Sequence, residues 1–66
     1  MNVKLNDQTY EVSAGTALST WLSGLGYFAD GIAVAVNGEI VPKSTWDSFF
    51  LTDNADILVI HAVAGG

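Results

Sequence analysis

The sequence of 66 residues predicts an α+β fold in which one helix packs across a mixed β-sheet of four to five strands. Several short segments repeat apolar residues at every second position, one segment repeats them with helical spacing, and the last strand segment is continuously apolar. A chain of this length buries only about 60% of its unfolded surface, which is typical of one small domain. We therefore expect residues 1–66 to form a single domain, with residues 63–66 as an exposed, flexible C-terminal tail.

The first half of the chain predicts a β-hairpin followed by the helix. Val3 and Leu5 alternate with polar residues, Asn6-Asp7 supplies a turn, and residues 9–12 alternate again. A loop rich in helix-capping residues follows. Beyond it, apolar residues recur with the i, i+3, i+4, i+7 spacing of one helix face, and we expect them to enter the core; they are Leu18, Trp21, Leu22 and Leu25.

The second half begins with a second predicted hairpin. The β-branched run at residues 32–36 predicts a buried strand. Asn37-Gly38 favours a tight turn, because both residues tolerate positive φ, and residues 39–41 return as the next strand. Pro42 ends that strand, since proline cannot donate to the ladder of hydrogen bonds.

A short helical turn or structured crossover is predicted for residues 44–50, whose large aromatic side chains we expect to cap the core; they are Trp46, Phe49 and Phe50. A turn cluster at residues 52–56 leads to a last strand at residues 57–63. A strand that is apolar at consecutive positions is expected at the centre of a sheet. We predict that it pairs in parallel with the first strand, which is the β-grasp architecture.

Charge and residue usage exclude several classes of function. The net charge is −5 with only two cations, Lys4 and Lys43, which argues against binding to nucleic acid or to anionic membranes. The chain has no cysteine, and His61 is its single histidine, so we expect no metal site, no bound cofactor and no catalytic centre. We expect His61 to have no catalytic role and to face solvent near the end of the last strand.

The apolar segments are too short for a membrane span or a secretory signal. The N-terminal residues lack an apolar signal core, and the longest hydrophobic run, residues 57–64, is far below the length of a membrane-spanning helix. We expect a soluble, cytoplasmic protein that is a monomer in isolation.

Gly65 and Gly66 end the sequence directly after the last predicted strand. Glycine lacks Cβ, so two glycines can carry a terminal carboxylate through a narrow channel into the active site of another protein. The alternative is that the two glycines form a frayed end without function, since terminal residues are commonly disordered.

The last strand predicts a surface that leads to this tail. Side chains alternate along a strand, so residues 57 and 59 point to one side, and Leu58 and Ile60 to the other. We expect Leu58 and Ile60 to face outward as an apolar patch for a partner, which would also grip Val63 and Ala64 as extended backbone. The alternative is that both sides of the strand are buried.

Four parts of the chain form a specific combination: residues 34–42 (Val-Ala-Val-Asn-Gly-Glu-Ile-Val-Pro), Trp46, residues 53–57, and Ala64-Gly65-Gly66. In these residues the sequence resembles the ThiS-type sulfur carrier proteins of thiamine biosynthesis, which have the ubiquitin-like β-grasp fold. The resemblance covers nearly the whole chain, although residues 1–30 agree mainly in pattern. Lys43 departs from the arginine that often follows the proline, which keeps the charge but loses the bidentate geometry.

The resemblance implies a carrier and not an enzyme. An ATP-dependent activating enzyme, similar to those that charge ubiquitin, would adenylate the Gly66 carboxylate. Sulfur from a persulfide donor would then replace the adenylate, and the resulting thiocarboxylate would deliver sulfur to thiazole synthase. On this interpretation Gly66 is the reacting residue, Gly65 is the thin arm behind it, and ATP is used by the partner.

Three alternatives remain open at the level of sequence. The small subunit of molybdopterin synthase has the same fold and glycine tail, but such chains are usually longer and often carry prolines where residues 61–64 have none. A ubiquitin-like modifier would join Gly66 to a lysine through an isopeptide bond. A plain β-grasp interaction module would make no use of the glycines.

Overall fold

The computed structural model describes residues 1–27 and 31–61. Five strands, one α-helix and one 3₁₀ helix follow one another along the chain. The predictions made for residues 62–66, including the exposed tail at residues 63–66, lie outside the described residues. The elements are β1 (Asn2–Leu5), β2 (Gln8–Glu11), α1 (Leu18–Gly24), β3 (Ile32–Val36), β4 (Glu39–Ile40), the 3₁₀ helix (Lys43–Ser48) and β5 (Ala55–His61).

The five strands form one mixed sheet in the order β2-β1-β5-β3-β4. β5 lies at the centre, where it pairs in parallel with β1 and antiparallel with β3. The predicted α+β fold, the central last strand and its parallel pairing with the first strand are therefore confirmed. α1 covers one face of this sheet, since its buried residues belong to the same core cluster as those of β1, β3 and β5.

Two tight turns set the register of the hairpins. Asn6 and Asp7 have φ values of 46° and 70°, and they place Leu5 opposite Gln8. Asn37 and Gly38 have φ values of 53° and 86°, and they place Val36 opposite Glu39. Positive φ at both central residues is the requirement of a type I′ turn, so the turn chemistry that predicted the second hairpin is confirmed.

The helix covers the core over a shorter stretch than its repeat predicts. Leu18 and Leu22 are buried, whereas Leu25 is 38% exposed, so the prediction that Leu25 enters the core is wrong. The physical reason is that α1 ends at Gly24 after seven residues, and Leu25 lies beyond its last turn. Trp21 is half-buried at the side of the core, where its ring meets Tyr10 edge-on with 5.8 Å between ring centroids.

The crossover separates the three aromatic residues that the sequence groups together. Trp46 is buried and Phe49 is partly buried, but Phe50 is 58% exposed, so its predicted place in the core is wrong. Residues 49–51 are extended and bridge to residues 16–18, with Phe50 paired to Ala17. Extended backbone alternates its side chains, so Phe49 and Leu51 point inward and Phe50 points out.

The turn before β5 is also shorter than predicted. The sequence predicts a turn through residue 56, but only residues 53 and 54 form it, and Ala55 already pairs with Val3. The side chain of Asp53 accepts a hydrogen bond from the backbone N–H of Asn2 at 2.9 Å, and the N–H of Asn54 donates to the Asn2 carbonyl at 2.7 Å. These contacts fix the entry into β5 against the start of β1.

Trp46→Phe is expected to lower the free energy of unfolding by about 1–3 kcal/mol, because the buried indole Nε1–H donates to the Val41 carbonyl at 2.9 Å. Phenylalanine leaves that carbonyl without its donor. Urea denaturation followed by circular dichroism measures the loss. Trp21→Phe, at a half-buried site, serves as the matched control with a smaller expected loss. Equal losses in the two variants would mean that the smaller ring alone accounts for the lost stability and that the hydrogen bond contributes nothing.

Candidate functional site

β5 presents two different faces along its length. Ala55, Ile57 and Val59 are buried, whereas Leu58 and Ile60 are 49% and 44% exposed. The predicted direction of these side chains is therefore confirmed, and the alternative that both faces are buried is wrong. The role of Leu58 and Ile60 in binding a partner stays a prediction.

The exposed residues of β5 continue into an apolar surface across neighbouring strands. Ala35 of β3 lies between Leu58 of β5 and Ile40 of β4, and Ile60 lies opposite Ala33. Directly opposite residues have Cβ atoms about 4.5–5.5 Å apart, so these side chains form one continuous surface. We call this surface the outer apolar patch; it consists of the exposed Ile40, Leu58 and Ile60, with the half-buried Ala33 and the buried Ala35 between them.

Sequence reasoning found two of the five residues of the outer apolar patch. Ile40 is 64% exposed and is the most exposed of the large apolar side chains described, yet it was predicted only as part of a returning strand. The Asn37-Gly38 turn contains the signal that could have found it, because a two-residue turn places Ile40 opposite Ala35. The register between β3 and β5 depends on tertiary packing and has no such local signal.

Polar residues border the outer apolar patch on the side of β1 and β2. Asp56 lies two residues before Leu58 on the same face and pairs across the strands with Lys4, which in turn lies opposite Thr9. All three polar residues are exposed. An apolar centre with a polar rim is the arrangement expected of a protein-binding surface, and its exposure is unusual for a domain that acts without a partner.

The other groups considered in the sequence do not assemble into a reactive centre. His61 is exposed at the end of β5, as predicted, and its ring lies 6.1 Å from the Tyr27 ring. Within residues 1–27 and 31–61, no three His, Asp or Glu side chains are grouped so that they could hold a metal ion. The helices of this part of the chain are all too short or too polar to cross a membrane.

An open depression lies on the helical side of the sheet, between α1 and the 3₁₀ helix. Its walls are formed by Ser19, Leu22, Ser23, Tyr27, Lys43, Trp46 and Asp47. Lys43, the position at which the chain departs from the usual arginine, is therefore placed away from the outer face of the sheet. The structure does not bring Lys43 together with the predicted partner-binding residues Leu58 and Ile60.

The predicted reacting end of the chain follows directly from β5. The last described residue is His61, and Val63, Ala64, Gly65 and Gly66 lie outside the described residues. β5 carries Leu58 and Ile60 immediately before this segment, so the outer apolar patch and the origin of the tail are adjacent in the chain. The roles of residues 63–66 stay predictions.

A five-stranded β-grasp sheet with one helix across it and an exposed apolar face beside a diglycine sequence defines the class of ubiquitin-like β-grasp proteins. A model of the ThiS family matches residues 3–66. The chain belongs to the ThiS family.

Two curated relatives place the chain more closely. It is 33% identical over 66 residues to the sulfur carrier protein ThiS of Escherichia coli, and the match covers both chains completely. It is also 33% identical over 66 residues to a thiazole synthase of Magnetococcus marinus, of which it spans only 20% of the length. In that second protein, a segment similar to this chain is part of a larger polypeptide.

Solved structures show the same fold. A crystal structure of the thiamine biosynthesis protein ThiS from Geobacter metallireducens superposes with a TM-score of 0.82 at 24% identity and full coverage of both chains. A solution structure of a thiamine biosynthesis protein from Geobacter metallireducens gives a TM-score of 0.73 at 22% identity, covering all of this chain and 88% of the other. The predicted ubiquitin-like β-grasp fold is therefore confirmed.

Proposed function

We propose that this chain is a sulfur carrier of thiamine biosynthesis, with Gly66 as the residue that carries the sulfur. The observation that supports this proposal best is the match to the ThiS family over residues 3–66, which extends through the diglycine to the last residue. The E. coli relative named sulfur carrier protein ThiS agrees with this function over the same full length.

The chemistry needs a free carboxylate and an activating partner. A carboxylate is a poor electrophile, so the Gly66 carboxylate oxygen first attacks the α-phosphorus of ATP, and pyrophosphate leaves. The terminal sulfur of a persulfide then attacks the acyl carbon of the adenylate, and AMP leaves. A thiol cleaves the S–S bond of the resulting acyl disulfide, which leaves a thiocarboxylate on Gly66 and a disulfide on the donor side.

The carrier supplies reach and recognition, and its partners supply the catalysis. Gly65 and Gly66 provide an arm without side chains that fits a narrow active-site channel. The activating enzyme binds ATP and the sulfur donor provides the persulfide, so the carrier itself needs no bound cofactor. Thiazole synthase is the proposed recipient, which agrees with the ThiS-like segment inside the thiazole synthase of Magnetococcus marinus.

The outer apolar patch is the proposed contact surface for these partners. Its large side chains lie in β5 and β4, and those of β5 lead toward the tail, so a partner that covers the patch receives Gly66 from a defined side. Val63 and Ala64 would then bind to the partner as extended backbone. The net charge of −5 favours a partner whose docking surface is basic.

The direct test is formation of a thiocarboxylate in the presence of ATP, an activating enzyme and a persulfide donor. A thiol-reactive alkylating label reports the product, because the chain has no cysteine to take the label. We expect one label per chain, located in the C-terminal peptide by mass spectrometry. Mass alone is insufficient, since exchange of one oxygen for sulfur has nearly the same mass shift as oxidation of Met1.

Deletion of Gly66 is the matched control for that experiment. The deletion keeps every residue of the core cluster, so the domain is expected to stay folded, but labelling is expected to fall to background. Adenylation without any labelling of the intact chain would point instead to a modifier that forms isopeptide bonds. Labelling that survives the deletion would contradict the assignment of Gly66.

A further inference from the structure

The side chain of Asn6 holds the backbone of β5 close to the point where the described chain ends. Its Oδ1 accepts a hydrogen bond from the N–H of Val59 at 2.9 Å, and its Nδ2 donates to the carbonyl of Val59 at 3.4 Å. The backbone N–H of Asn6 also donates to the carbonyl of Ile57 at 3.0 Å. Three hydrogen bonds therefore join one turn residue to alternate positions of the central strand.

This contact extends the sheet beyond the end of a strand. Residue pairing between β1 and β5 stops at Leu5 and Ile57, because the chain turns at Asn6. A side-chain amide has the same donor and acceptor as a peptide group, so the Asn6 amide serves Val59 as a further residue of β1 would. The positive φ of Asn6, 46°, directs the main chain away into the turn while the side chain continues along β5.

Within residues 1–27 and 31–61, the Asn6 amide is the last attachment of β5 on its β1 side. In a parallel ladder, alternate residues of a strand turn their N–H and C=O groups toward the same neighbour. Ile57 and Val59 turn theirs toward β1, and by the same alternation His61 does so as well. The described pairing with β1 does not extend to His61, which pairs with Ile32 of β3.

We infer that Asn6 is a positioning residue that fixes where, and in which direction, the chain leaves the sheet toward Gly66. The inference rests on the proposed function, since it concerns delivery of the Gly66 carboxylate. Five residues separate His61 from the end of the sequence, and they reach at most about 17 Å when fully extended. Misplacement of a reacting group by 1 Å can cost about 100-fold in rate.

Asn37 offers a matched control, because it makes the same kind of contact at the other end of β5. Its φ is 53°, its Oδ1 accepts from the N–H of Asp56 at 2.9 Å, and its own N–H donates to the Asp56 carbonyl at 2.7 Å. Asn6→Gly and Asn37→Gly each delete one amide and keep a residue that tolerates positive φ. The two variants therefore differ mainly in which end of β5 they release.

The experiment measures adenylation of each variant by its activating enzyme as pyrophosphate release, together with thermal unfolding. We expect both variants to unfold at similarly lowered temperatures. Asn6→Gly is expected to lower kcat at least fivefold with KM within twofold of the parent, because the outer apolar patch is unchanged. Asn37→Gly is expected to keep both constants within twofold. Asn6→Asp, which retains the acceptor for the Val59 N–H, should lie between Asn6→Gly and the parent protein.

A second measurement separates this inference from the proposed function. Backbone ¹⁵N relaxation of residues 60–64 is expected to show larger amplitudes in Asn6→Gly than in Asn37→Gly or the parent protein. If the parent is never adenylated, the proposed function fails, and the relaxation data alone decide the role of Asn6. Equal kcat losses in the two glycine variants, or relaxation unchanged by Asn6→Gly, would overturn the inference.

Discussion

Ile60→Asp is expected to lower kcat/KM for activation of the Gly66 carboxylate by about 100-fold while the domain stays folded. Ile60 is exposed and lies in the outer apolar patch opposite Ala33, so the new carboxylate meets water in the free protein. In a complex, the same carboxylate would be buried against an apolar surface without a partner. An uncompensated buried charge costs about 3–5 kcal/mol, so a 100-fold loss, about 2.7 kcal/mol, corresponds to a carboxylate that stays partly solvated in the complex.

Thr20→Asp is the matched control for Ile60→Asp. Thr20 is exposed on α1, which covers the opposite face of the sheet, so this variant adds the same charge without altering the outer apolar patch or its polar rim. We expect its kcat/KM to stay within threefold of the parent, and circular dichroism to show both variants folded. An unfolded Ile60→Asp variant would make the loss of activity a consequence of folding. A folded Ile60→Asp variant with full activity would exclude the outer apolar patch as the docking surface.

Leu22→Ala is expected to lower the free energy of unfolding by about 3–5 kcal/mol, as is typical when a fully buried leucine side chain is truncated. Leu22 is buried between α1 and the sheet, within the main core cluster. A domain of this size has a total stability of only about 3–10 kcal/mol, so the variant should be partly unfolded at 37 °C. Chemical denaturation of the parent and the variant, followed by circular dichroism, gives the difference.

Leu25→Ala is the control for Leu22→Ala, because it removes the same side chain at an exposed position. Leu22 and Leu25 belong to one predicted helix face, yet Leu25 lies beyond the end of α1 and is 38% exposed. We expect its replacement to cost less than about 1 kcal/mol. A loss equal to that of Leu22→Ala would show that Leu25 packs in the core in solution, contrary to its exposed position in the structure.

The sequence predicts the fold well where local chemistry determines it. Asn6-Asp7 and Asn37-Gly38 specify two hairpins, because few residue pairs tolerate positive φ in succession. The long apolar run of the last strand predicts its central place, because only a central strand has neighbours on both sides. The alternation of Leu58 and Ile60 with buried residues follows from strand geometry once the strand itself is assigned.

Where the sequence prediction fails, the reason is packing between distant segments. Leu25 is a separate case, because it continues the apolar repeat although Gly24, a residue type typical of helix ends, directly precedes it and ends α1. Phe50 is as apolar as Phe49, and only the bridge between residues 16–18 and 49–51 turns it outward. The contribution of Ile40 to the outer apolar patch depends on the alignment of β4, β3 and β5. The sequence specifies the register of β3 with β4 through the turn between them, but not that of β3 with β5.

The place of β5 between the two hairpins has a consequence for biosynthesis of the protein. β1–β2 and β3–β4 each pair locally, but in the sheet the two hairpins meet only through β5, which follows both of them in the chain. Isolated two-stranded hairpins are marginally stable in water, and contacts between the ends of a chain form late in folding. The nascent chain therefore has no stable sheet until residues 55–61 have emerged from the ribosome. A product that ends before residue 55 lacks β5 and therefore the sheet, and it also lacks Gly66, the proposed reacting residue.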